Sequence, residues 1–95
     1  MSDVIEAALK LLGEKLGAGF DGVAKFVIEG EGAIVADASG VRAGDDEAEV
    51  TLTASAETFE GILKGDMNPT MAFMTGKLKV DGSMGLAMQL ASTLA

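Results

Sequence analysis

The chain has 95 residues, fifteen acidic against seven basic for a formal net charge of −8, 48% hydrophobic content, and no cysteine, histidine, tryptophan or tyrosine. Such a length suits one domain over residues 1–95, and the apolar content separates it from a disordered polyanion. Acidic excess without Trp or Tyr for stacking excludes nucleic-acid binding, which relies on Lys and Arg against phosphate; the missing His and Cys exclude the usual zinc sites, Ser–His or Cys–His catalysis and any disulfide framework.

Ser2 reads as the cap of a first helix, whose apolar residues Val4, Ile5, Ala8, Leu9, Leu12 and Leu16 recur at i, i+3, i+4 and i+7. Asp3, Glu6, Lys10 and Glu14 form its solvated face. This charged start has neither the basic n-region nor the unbroken apolar run of a signal peptide, so the expected compartment is the cytoplasm. The run Gly17-Ala18-Gly19-Phe20-Asp21-Gly22 matches a dinucleotide fingerprint, G-x-G-x-x-G, but that motif needs a strand before it and a helix after it. Here the order is reversed, and a connecting loop is expected.

Alternation from Ala24 to Glu29 sets Phe26 and Ile28 opposite Lys25 and Glu29, and a glycine turn leads to a second strand over Ala33 to Ala38. A brief third strand at Val41 and Arg42 follows. Asp45, Asp46 and Glu47 lie in an acidic loop without calcium-loop spacing, expected to be solvated. Val50 and Leu52 then point inward, opposite Glu49, Thr51 and Thr53. Strands with one apolar and one wet face indicate an α+β fold with helices on a single side.

Ser55 is the expected N-cap of a helix through Lys64, with Phe59, Ile62 and Leu63 inward and Gly65 just past its end. Asn68 and Pro69 start another helix as N-cap and first residue, which Gly76 stops. From Lys77 to Asp81 the strand period places Leu78 and Val80 on one face and the charges on the other. Gly82 and Ser83 then turn the chain into a last helix. Ser83 to Ala95 has no charged residue and is too short to span a bilayer, so stable membrane insertion is not expected and its apolar surface needs protein or ligand.

Five of the six methionines, Met67, Met71, Met74, Met84 and Met88, fall in this C-terminal stretch. Methionine fills irregular core gaps, and its flexible thioether also suits surfaces that repack around varied apolar partners. Either role fits the spacing. The last helix favours the second, because Met84, Leu86, Ala87, Met88, Leu90, Ala91 and Leu94 spread over more of its circumference than one buried stripe requires.

The ordered series MNP, AF, GKLK, a glycine with a small polar residue, then MGLAM closely resembles the C-terminal signature of the sterol carrier protein 2 (SCP2) family, and the element order extends the resemblance over nearly the whole chain. It implies an SCP2-like fold: a sheet of about five strands, mixed and mainly antiparallel, with one face covered by helices. It also implies a hydrophobic tunnel between helices and sheet that holds a lipid such as a fatty acid, fatty acyl-CoA, sterol-like or isoprenoid molecule. The expected lining is Phe26, Ile28, Val35, Phe59, Leu63, Met67, Thr70, Met71, Phe73, Met74, Leu78, Val80, Met84 and Met88. Relatives tend to carry polar residues at the positions matching Thr70 and Met88, and often Trp where this chain has Ala33; polarity is kept at the first alone.

The expected function is therefore non-catalytic lipid binding, with intracellular transfer as an extension, and with no metal and no cofactor. Lys64, Lys77 and Lys79 are the local cations available to an anionic head group. The alternative is a protein-interaction module, or an accessory domain of ubiquinone biosynthesis, that uses the apolar C-terminal helix. The final residues lack the Ser-Lys-Leu peroxisomal address, which points to a free-standing bacterial-type member. Oligomeric state is left open by the sequence.

Overall fold

In a computed structural model, residues 3–17 and 20–94 are described. The Ser2 cap and the centre of the G-x-G-x-x-G run, Ala18 and Gly19, lie outside them. The elements run α1 (Asp3–Leu16), β1 (Ala24–Ile28), β2 (Gly32–Asp37), β3 (Gly40–Ala43), β4 (Val50–Ala54), α2 (Ala56–Leu63), α3 (Pro69–Met74), β5 (Leu78–Gly82) and α4 (Met84–Leu94). Helix α1 precedes the glycine run and β1 follows it, the reverse of a dinucleotide-binding turn.

The strands form one five-stranded sheet in the order β3-β2-β1-β4-β5. All neighbours are antiparallel except β1 and β4, which pair in parallel with Phe26 opposite Leu52. The chain reaches this arrangement by making the β1-β2-β3 meander, returning through residues 44–49 to the free edge of β1, and adding β5 after two helices. The core lies between the helices and one sheet face, where Ala24, Phe26, Ile28, Ile34, Ala36, Val50, Leu52, Ala54 and Leu78 meet Ile5, Leu12, Phe59, Ile62 and Leu90.

Local signals explain the helix starts. The Ser55 hydroxyl accepts from the Thr58 N–H at 3.2 Å, and the Asn68 side-chain oxygen accepts from Thr70 and Met71 N–H at 2.8 and 3.2 Å. Pro69 follows that cap, where its missing N–H loses no bond. At the β5–α4 corner, Gly82 has φ +97° and a Cβ there would collide with the Glu49 carbonyl oxygen. Glycine therefore lets the Ser83 N–H reach that oxygen at 2.9 Å.

The opposite sheet face is less uniformly wet than alternation suggests. Val35 pairs with Lys25 and Arg42, so it points away from the helices, yet it is fully buried. The chain around Gly44 lies against it. Two of the loop's exposed carboxylates also have partners: Asp45 meets Lys25 at 2.9 Å and Asp46 meets Arg42 at 2.9 Å, and just before β4 Glu49 accepts from the Val23 N–H at 3.0 Å. Lys25 comes from the far face of the sheet twenty residues away, a partnership that sequence distance conceals, whereas Arg42 is an i, i+4 neighbour of Asp46.

Candidate functional site

A cavity of about 540 Å³ opens between the β5 edge of the sheet and helices α3 and α4. Its sheet side is Leu52, Leu78 and Val80, with Leu52 and Val80 adjacent across the β4–β5 ladder. Phe59 and Ile62 of α2 add a wall from behind. Helix α3 contributes Pro69, Thr70, Phe73 and Met74, and α4 contributes Met84, Ala87, Met88, Ala91, Ser92 and Leu94.

Periodicity explains why α4 serves two environments. Met84, Ala87, Met88 and Ala91 share one side at i, i+3, i+4 and i+7 and line the cavity, while Leu90, fully buried, and Leu86 pack against the core. The cavity grades from buried Leu52, Leu78 and Ala87 to Met74 and Met88, whose exposures of 72% and 71% mark its mouth. A sealed dry void of this volume would cost on the order of 13 kcal/mol, comparable to the whole stability of a small domain. An open mouth lets water relieve that cost in the ligand-free chain.

None of the described lining residues is charged or titratable near neutral pH. Asn68, Thr70 and Ser92 supply the polar atoms, and the Asn68 oxygen is engaged in capping α3. Among the described residues no group of three or more acidic side chains is placed to hold a metal ion, and no helix is long and apolar enough to cross a membrane. The arrangement can enclose an apolar chain and offer the neutral hydroxyls of Thr70 and Ser92; among its described lining residues there is no carboxylate, amine or imidazole.

Of the residues expected at this site, Phe59, Thr70, Phe73, Met74, Leu78, Val80, Met84 and Met88 line the cavity. Phe26 is fully buried beneath Phe59 and belongs to the core. Ile28 and Leu63 instead line a smaller cavity of about 220 Å³ between α1 and α2, which Phe59 also borders. Met67 packs back on Gly61, Met71 lies on the outer side of α3, and Val35 is excluded because its register turns it to the other sheet face. Two apolar neighbours, Ile34 and Val35, made the parity of β2 ambiguous without its partners.

Leu52, Ile62, Asn68, Pro69, Ala87, Ala91, Ser92 and Leu94 also line the cavity, beyond the residues that the sequence marks out. For Ala87 and Ala91 the signal was available in their i+3 and i+7 spacing from Met84. Lys64, Lys77 and Lys79, the cations available to a head group, do not line the cavity. Lys79 pairs in register with Thr53 on the face away from the cavity, and Lys64 is held by Glu60 at 2.7 Å, which raises its pKa above the ordinary lysine value.

The sequence profile of the SCP-2 sterol transfer family matches residues 5–95. Hydroxysteroid dehydrogenase-like protein 2 of Xenopus laevis is 32% identical over 102 residues, a match that takes in 99% of this chain and 24% of that protein. The chain thus spans about a quarter of the length of that relative. Human sterol carrier protein 2 is 48% identical over 46 residues, covering 48% of this chain and 8% of its own length. Among solved structures, sterol carrier protein domain 2 of Helicoverpa armigera superposes with a TM-score of 0.73 at 30% identity, covering 96% of this chain and 85% of that one. Sterol carrier protein 2 of Aedes aegypti, in complex with the C16 fatty acid palmitate, superposes with a TM-score of 0.79 at 25% identity and covers 100% of this chain and 97% of its own. The profile match over residues 5–95 and the superposition on sterol carrier protein structures agree, and the chain belongs to the SCP-2 sterol transfer family.

Proposed function

We propose that this chain binds a lipid with a long apolar portion, such as a fatty acid or fatty acyl-CoA, in the cavity between α3, α4 and β5, and carries it without chemical change. The observation that carries the reading is the lining itself: about 540 Å³ bounded by apolar and neutral side chains drawn from β4, α2, α3, β5 and α4. That volume falls within the ~300–1,000 Å³ typical of small-molecule sites. The palmitate complex of the similar Aedes aegypti protein supports the same ligand class.

Burial of each methylene contributes about 0.8 kcal/mol, so a long acyl chain gains on the order of ten kcal/mol before ordering costs. Affinity then comes from the chain rather than from a charged lock. An anionic head group would sit at the solvent-exposed mouth, near Thr70 and Ser92, because Lys79 faces the other way, Lys64 is paired and Lys77 does not line the cavity. Selectivity among head groups is accordingly weak, and acyl length decides.

The test is a titration of delipidated protein with a fluorescent fatty acid beside a sizing measurement and native mass spectrometry. One saturable site per chain, displaced by unlabelled fatty acid, is expected. A probe that binds without saturation, with no lipid adduct on the purified protein, would sink the reading and favour a protein partner on the exposed methionines of α3 and α4.

A further inference from the structure

The chain has no cysteine, tryptophan, tyrosine or histidine, so methionine is its readily oxidised side chain. These sulfurs are not spread evenly. Met74, Met84 and Met88 all line the cavity and are 72%, 49% and 71% exposed, so water-borne oxidants reach the same thioethers that an apolar ligand must pass. Two helices face one another here, Met74 on α3 and Met84 and Met88 on α4. Met71 is also exposed, at 56%, but does not line the cavity, and Met67 is half-buried against Gly61.

From this placement we propose that Met74, Met84 and Met88 are modification sites through which a peroxide controls ligand binding. The inference rests on the cavity being the lipid site. A thioether sulfur lone pair takes one oxygen of hydrogen peroxide: the S–O bond forms as the O–O bond breaks, the proton on that oxygen passes to the departing oxygen, and water leaves. Sulfur is oxidised and peroxide reduced. Each sulfoxide replaces a flexible apolar group at the mouth with a strongly polar one, which a bound acyl chain would have to desolvate. The mouth then favours water over lipid, and methionine sulfoxide reductases reverse the change.

The experiment begins with fluorescent fatty-acid binding by the untreated chain. Absence of saturable binding at that step overturns the proposed function and this inference with it. The protein is next treated with hydrogen peroxide, and oxidation at each methionine is followed by peptide mass mapping, with circular dichroism to confirm that the fold persists. Affinity is expected to fall about tenfold or more, as burial of an uncompensated polar group at the mouth predicts, and to return after enzymatic reduction. The M74L/M84L/M88L variant, treated identically, is expected to keep its untreated affinity within about twofold, whereas M71L loses affinity as the natural chain does. Undiminished binding by the folded, fully oxidised chain, or an equal loss in the triple variant, would overturn the inference while leaving lipid binding intact.

Discussion

The ring of Phe59 meets that of Phe26 edge to face, with centroids 6.2 Å apart and 76° between their planes. Phe59 also borders both the large cavity and the smaller one between α1 and α2. One side chain therefore anchors α2 to the middle of the sheet and separates two spaces. The F59A variant loses a buried aromatic, an edge-to-face contact and the partition at once, and its unfolding free energy should fall by about 3–5 kcal/mol. Denaturant titration checks this, and a loss under about 1.5 kcal/mol would show that the neighbouring apolar residues close the gap unaided.

Two glycines should respond to alanine in opposite directions. At Gly82 the new Cβ would meet backbone atoms of Glu49 at φ +97°, and backbone cannot swing aside as a flexible side chain can. G82A should lose about 2 kcal/mol or more and disturb the start of α4. Gly13 lies inside α1, and the space an added methyl would occupy has no neighbouring atom within 4 Å, so G13A should gain roughly 0.5–1 kcal/mol through helix propensity. Thermal melts of both variants decide the point, and equal behaviour would contradict it.

Asn68 holds α3 by accepting two backbone N–H groups, and that helix has six residues with Thr70, Phe73 and Met74 on the cavity. N68A should cost about 1 kcal/mol of stability. Because the shortened wall frays, fatty-acid affinity should weaken as well. A variant that loses stability but binds as before would show that α3 forms against the ligand without its cap.

Asp37 predicts an acid-side dependence. The Ser39 hydroxyl, the Arg42 guanidinium and the Ser39 N–H all donate to its carboxylate, at 2.6, 2.8 and 2.9 Å, and hold its pKa at about 2 against 3.8. A folded-state pKa below the unfolded one means that this stabilisation is complete above the unfolded value of 3.8 and is lost as pH falls toward 2. The natural chain should therefore lose more stability than D37N over that interval. Parallel thermal midpoints as a function of pH would test it; identical slopes for the two proteins would place the acid sensitivity elsewhere.

Helix starts, strand alternation and the uncharged last helix were legible from the chain alone, because each depends on neighbours a few residues away. Ser55 and Asn68 bond within their own first turn, and the alternation expected from Lys77 to Asp81 is kept in β5 from Leu78 onward, with Leu78 buried and Lys79 and Asp81 exposed. The methionine cluster and its likeness to a known signature also pointed to the C-terminal third, from which most of the cavity lining comes. The tertiary structure alone decided which apolar residues reach the cavity. Val35 turned away because its β2 register sets it beside Lys25 and Arg42, Phe26 was covered by Phe59, and Lys79 followed β5 to the far face. Facing on a sheet depends on pairing between segments distant in sequence, and a cavity is the space those pairings leave unfilled, so neither is encoded in any single stretch of residues.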